Sequence, residues 1–190
     1  MTTKELKGQV IAVLANDRED TLETLPTDRL ILTLEGITTD RHRGQTMRAN
    51  SRQPFYERGT TILNTRQVSL VSMEELGFIQ KALGIDYLVA GWLGANISVV
   101  NIPHFSLLPI GARLFFSSGT VLLNMGYNPP CTGPGEIIQR YFPDVPANRF
   151  PKVAHLKRGI VAMVERAGEI ARGDTVRVLL PTQPPYPPEG

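Results

Sequence analysis

A chain of 190 residues with 42% hydrophobic and 20% charged side chains has the material for one sizeable core. No run approaches about 18 consecutive apolar residues, which argues against a membrane-spanning helix, and the start MTTKELKGQV has no apolar stretch of a secretory signal. The net charge of +2 does not make the chain as a whole a polyanion binder, and its single cysteine, Cys131, excludes an internal disulfide, so a free thiol in a reducing cytoplasm is expected.

In chain order, GQVIAVLAN (8–16) and DRLILTLEG (28–36) are runs of β-branched residues and leucine bounded by turn formers, and read as strands. The polar DREDTLETLPT between them reads as a connection. Residues 37–59 show neither helical nor strand periodicity and predict a long irregular loop, of the kind that is functional or disordered. Between 40 and 66, six arginines (Arg41, Arg43, Arg48, Arg52, Arg58, Arg66) stand against two acids, Asp40 and Glu57, a local charge of +4. Arginine is the side chain suited to planar anions and phosphate, although a solvated basic loop has the same composition.

RQVSLVS (66–72) alternates and reads as a strand, and SMEELGFIQKALG (72–84) as a helix. Ser72 is its cap and Glu75 completes a capping box. Met73, Leu76, Ile79, Gln80 and Leu83 form one face, and Gly84 is the stop. GANISVVNI (94–102) predicts a strand, GARLFFSSGTVLLNMGY (111–127) a hairpin turning at Ser117-Ser118-Gly119, and PGEIIQRYF (134–142) a short helix with Pro134 in its first turn. The segment 159–181 reads as strand, turn, strand, and 181–190 as a proline-rich loose end. Many short strands and few helices define a mainly β (α+β) fold: a single barrel-like β domain over 1–180 with a few peripheral helices.

The common catalytic signatures are missing: no phosphate-binding loop, no GxGxxG after a strand, no GxSxG and no HExxH. His42, His104 and His155 are widely spaced and give no support for a metal site, and the last two read as structural. Cys131 carries more information. A lone cysteine is most often a small buried hydrophobe, but this one sits in NPPCTGPG, a stiff irregular turn. A helix beginning close behind it would bring its free N–H groups near the sulfur and favour the thiolate. The residues alone therefore point to a reactive or metal-ligating thiol without choosing between them.

Six segments in order, EGITTDRHRG, RQVSLVSMEELG, GWLGANISVVNI, LLPIGARLFF, PPCTGPGEII and RGIVAMVERAGEIARGDTVRV, resemble the MOSC domain, named for the C-terminal domain of molybdenum cofactor sulfurase. The resemblance spans about residues 28–180 and implies a β-barrel-like domain that handles molybdenum cofactor or its sulfur. On it, Cys131 matches the family cysteine, which ligates molybdenum or carries sulfur. Asp40 and His42 match an acidic–histidine pair, Arg66 and Gln67 the strand opening, Asn96 a loop asparagine, and Arg158-Gly159 a late Arg-Gly. The implied roles are Cys131, His42 and Asp40 in catalysis, and Arg41, Arg43, Arg66, Asn96 and Arg158 in holding molybdopterin, with Asn96 on the pterin edge and arginines, Arg48 among them, on the phosphate. Thr39 and Ala95 depart from the family's usual glycine and glutamate at these positions.

The resemblance implies a molybdenum-dependent reductase of N-hydroxylated compounds supplied with electrons by a partner protein. The alternative is a non-redox persulfide carrier that receives sulfur from a donor protein and delivers it to a cofactor or metal centre. Pyridoxal phosphate, a membrane and nucleic acid are not expected as partners, the last because only Phe55 and Tyr56 accompany the arginines. A homodimer is compatible with the sequence.

Overall fold

The computed structural model describes residues 5–182. Its first half contains β1 (Glu5–Ala15), β2 (Leu25–Pro26), β3 (Arg29–Thr33), β4 (Gly36–Ile37), β5 (Thr46–Arg48), β6 (Thr61–Leu63), β7 (Val68–Ser72), α1 (Met73–Leu83) and β8 (Ile97–Val100). The second half adds β9 (Arg113–Phe116), β10 (Val121–Tyr127), α2 (Thr132–Tyr141), α3 (Arg149–Val153), β11 (Ile160–Arg166), β12 (Gly168–Ala171) and β13 (Thr175–Leu179). Two 3-10 turns, Ala90–Leu93 and Phe105–Leu107, flank β8.

Seven strands run side by side in the order β13-β9-β10-β11-β7-β8-β1, and β1 pairs back onto β13. The mainly β, barrel-like domain with a few peripheral helices expected from the sequence is thus present, with three α-helices among the described residues, and its closure leaves the barrel no long sheet edge to pair with another chain. Every pairing in the barrel is antiparallel except β7 with β8, which are joined through α1. Period-two alternation fills the interior: Val68 and Leu70 of β7, Ile160 and Ala162 of β11 and Val176 and Val178 of β13 all point inward. A second apolar cluster lies outside the barrel, where Leu76, Ile79 and Leu83 of α1 meet Ile137 and Ile138 of α2, Phe150 of α3 and Trp92.

Helix α1 forms where its signals place it. Ser72 accepts a hydrogen bond from the Glu75 N–H, and Gly84 ends the helix in the left-handed region at φ 73°. The reciprocal half of the capping box does not form. The Glu75 carboxylate turns inward and accepts from the Ser106 N–H at 3.1 Å and the Ser106 hydroxyl at 2.6 Å. Met73, expected on the buried face, is 38% exposed because the helix rolls to bury Glu75.

Three further expectations are corrected. The loop at 37–59 is not wholly irregular: Thr46–Arg48 pairs with Thr61–Leu63, making a two-stranded arm that projects residues 49–60. Three-residue strands are too short to show a period. The 159–181 segment is three strands, because the chain leaves the barrel at Gly168 and β12 pairs with β3. Helix α2 begins at Thr132, ahead of Pro134, whose missing N–H costs nothing within a first turn. Most of the expected proline-rich tail, 183–190, lies outside the described residues.

Candidate functional site

The same alternation that buries Leu70 and Ile160 turns their neighbours outward. Ser69 of β7 and Val161 of β11 sit directly opposite one another and face a cavity of about 490 Å³ on the outer wall of the barrel. The arm between β5 and β6 borders it on one side and the N-terminus of α2 on another, with Arg52 and Cys131 both in its lining. Cys131 is exposed and is the N-cap residue of the ten-residue helix α2. No acidic side chain occupies the first turn of that helix, so its free N–H groups and positive dipole end are unopposed there. Gly133 keeps the turn open: a Cβ there would come within 2.7 Å of Leu22 Cδ2 and 3.9 Å of the cysteine Sγ.

Two arginines, Arg158 buried and Arg66 partly buried, reach the cavity from opposite ends of β7. Arg66 precedes the strand and donates to Asn128 Oδ1 at 2.8 Å. Arg158, only 8% exposed and just ahead of β11, donates to the Leu93 carbonyl and, at 3.4 Å, to Ser69 Oγ. Ser69 Oγ also accepts from Asn128 Nδ2 at 3.3 Å, tying the two arginine pockets together. All of these partners are neutral. Among the described residues the ion pairs run elsewhere, and no carboxylate faces Arg66 or Arg158. Burial pushes both guanidinium pKa values down to about 10, with the charge of Arg52 adding to the effect and that of Cys131 opposing it. Both remain cationic at neutral pH, so the cavity wall carries buried positive charge that the protein itself does not balance.

The Asp40–His42 pair forms, and Asn16 and Asn96 join it. Asp40 is 5% exposed and accepts four hydrogen bonds: from the Asn16 N–H at 3.1 Å, the His42 N–H at 2.9 Å, His42 Nδ1 at 2.9 Å and Asn96 Nδ2 at 2.8 Å. Burial alone would raise its pKa, but the bonds from His42 and Asn16 outweigh it and hold the carboxyl below its ordinary range. With Nδ1 bound to Asp40, the half-exposed His42 presents Nε2 at the cavity wall.

The other sequence candidates separate. Asn96 lines the cavity, but its amide bonds Asp40, the Leu14 carbonyl and the Ser69 N–H. It locks β7, β8 and the Asp40 turn together and has no free N–H for a pterin edge. Arg43 pairs with Glu35 at 3.2 Å, which neutralises it, and Arg41 donates to the Glu19 carbonyl at the rim. Arg48 binds the Gly59 carbonyl inside the arm. Gln67 is structural, joining the Leu34 carbonyl to the Val164 N–H. The structure adds Ser69, Asn128 and Arg52, whose guanidinium reaches from the arm to the Pro129 carbonyl at 2.8 Å. Arg52 stood out in the sequence only as one arginine of a cluster. Nothing local marks Ser69 or Asn128, because each gains its place from strand pairing.

A seven-stranded barrel with a cysteine-headed helix over a basic outer cavity defines a class of thiol-bearing β-barrel domains. Residues 39–177 match the MOSC domain model, and the chain belongs to that family. It is 44% identical over 153 residues to YuaD of Bacillus subtilis (strain 168), described provisionally as one of the metal-sulfur cluster biosynthesis proteins; the match covers 80% of each chain. The crystal structure of B. subtilis YuaD superposes with a TM-score of 0.91 at 38% identity, covering 95% of this chain and all of that one. YiiM of Geobacillus stearothermophilus shares the fold at 15% identity with a TM-score of 0.62, over 92% of this chain and 75% of that one.

Proposed function

We propose that this protein is a sulfur carrier: Cys131 takes on a second sulfur as a persulfide and hands it to a cofactor or metal–sulfur centre under construction. One arrangement carries the reading. The chain's only thiol is exposed at the head of α2, in the wall of a cavity where the buried Arg158 and the partly buried Arg66 face no carboxylate. A persulfide anion is stabilised in that field, and an anionic acceptor is drawn to the same wall. The name of YuaD, which speaks of metal-sulfur cluster biosynthesis, supports the same direction. Among the described residues no group of three or more His, Cys, Asp or Glu is gathered to hold a metal ion. A protein-held cluster commonly takes about four thiolates, whereas carrying sulfur takes one.

In the transfer, a nucleophilic acceptor attacks the outer sulfur. The acceptor–sulfur bond forms, the S–S bond breaks, and its electron pair returns to Cys131 as thiolate. His42 Nε2 gives or takes the accompanying proton while Asp40 fixes the ring. The test is mass spectrometry and cyanide treatment after exposure to a sulfur donor. The parent protein gains one sulfur that cyanide removes, and Cys131→Ser gains none. Sulfur that persists on the variant, or never appears on the parent, refutes the carrier.

The cavity also favours a second reading, as a molybdenum cofactor site. One thiol for the metal and two unbalanced arginines for a phosphate fit that group, while the committed amide of Asn96 does not. When bound, the cofactor would supply two-electron reduction of an N-hydroxylated compound, using electrons from a partner protein. Molybdenum that co-purifies with the parent and is lost in Cys131→Ser would favour this reading over the carrier.

A further inference from the structure

A carrier must be loaded, and the charges around Cys131 restrict what can load it. Arg158 and Arg66 are held by neutral partners, and Arg52 crosses from the arm to the Pro129 carbonyl, two residues before the cysteine. Arg52 acts on both Arg66 and Arg158, raising the cost of keeping their charge, while the sulfur of Cys131 relieves it. Even once the thiol has lost its proton, three guanidiniums set against one thiolate leave two positive charges unmatched. A neutral donor or hydrogen sulfide leaves them so, and a small dianion balances them. The first turn of α2, free of acids, adds backbone N–H groups on the same side. The cavity of about 490 Å³ is much larger than a tetrahedral oxyanion, which leaves space for the acceptor that takes the sulfur afterwards.

We propose that Cys131 is loaded by an anionic sulfane-sulfur donor of the thiosulfate class, its sulfonate oxygens held by Arg66, Arg158 and Arg52. This rests on the sulfur-carrier reading and names the donor for it. The thiol proton passes to solvent, and the thiolate attacks the outer sulfur of thiosulfate. A Cys131 S–S bond forms while the S–S bond of the donor breaks, and sulfite leaves with the electron pair. Total charge is unchanged and no further oxidant or reductant is required. The arginines stabilise the negative charge that accumulates on the departing sulfite, as preorganised cations do at other developing anions.

The experiment incubates the intact protein with thiosulfate and measures sulfite released and cyanide-removable sulfur on Cys131. Inorganic polysulfide serves as the comparison donor, and sulfate as a competitor that cannot donate sulfur. Expected are loading that saturates with thiosulfate, one sulfite per sulfur gained, and competition by sulfate. Arg66→Gln should raise the half-saturating thiosulfate concentration about tenfold or more, and Arg66→Lys should recover part of the loss. Loading by polysulfide but not by thiosulfate overturns this inference and leaves the carrier intact; loading by neither overturns both. Thiosulfate loading that sulfate does not inhibit, or that a folded Arg66→Gln performs with parental half-saturation, overturns the arginine wall as the binding device. The sulfate arm uses the parent protein alone, so it decides the matter even if the variant fails to fold.

Discussion

Removing the Asp40 carboxylate is the sharpest test of how this site is held together. In Asp40→Ala four hydrogen bonds lose their acceptor. The two donors from His42 lie partly in solvent and can turn to water, so their loss costs little. The Asn16 N–H and Asn96 Nδ2 are buried and have no such recourse. An orphaned buried donor costs roughly 1–3 kcal/mol, somewhat more where the lost partner was charged. Two of them give a destabilisation of roughly 3–5 kcal/mol, or a fall in Tm on the order of 10 °C for a chain of this size. Urea unfolding followed by far-UV circular dichroism measures it. Asn96→Ala and the double variant complete a cycle whose coupling should exceed about 1 kcal/mol, since both residues serve one network. An Asp40→Ala protein within about 0.5 kcal/mol of the parent would refute the idea that this carboxylate ties Asn16 and Asn96 together.

Two further outcomes follow from the same geometry. Gly159 stands at φ 90°, and a Cβ added there would overlap the Leu70 carbonyl oxygen, so Gly159→Ala should destabilise by roughly 3 kcal/mol or more; Gly119, at φ 92° with nothing within 4 Å of a new Cβ, should tolerate alanine at about 1 kcal/mol in the same urea assay. Because the folded-state pKa of Asp40 lies below its ordinary 3.8, its stabilisation is complete above that value and is lost as pH falls through it and then through the lower folded value. The stability gap between the parent and Asp40→Asn, measured by urea unfolding at a series of pH values, should therefore be widest near neutral pH and close in acid.

Much of the site was legible because its residues announce themselves locally. Cys131 between Pro130 and Thr132 reads as a turn thiol, and the helix behind it follows from the residues after it, although the start moved from Pro134 to Thr132. Asp40 and His42 are two residues apart, a spacing at which a carboxylate reaches both the backbone and the ring of its neighbour. The arginines were visible as a group, but composition treats them alike. Pairing to Glu35 removes Arg43, and a backbone carbonyl engages Arg48. Arg66 and Arg158, 92 residues apart in the chain by their numbering, are left as the pair that no carboxylate balances.

By itself, the sequence determined the periodicities and their punctuation: short alternating strands, one well-capped helix at 73–83, and a single thiol placed on a turn. These depend on neighbours a few residues away, where the side-chain period and the capping chemistry act. Only the tertiary structure decided which wall of the barrel Ser69 faces, that Asn128 and Ser69 bridge the two arginines, and that Asn96 supports Asp40. Each of these rests on strand register, and register is set by how the whole barrel closes, β1 onto β13, across almost the full length of the chain.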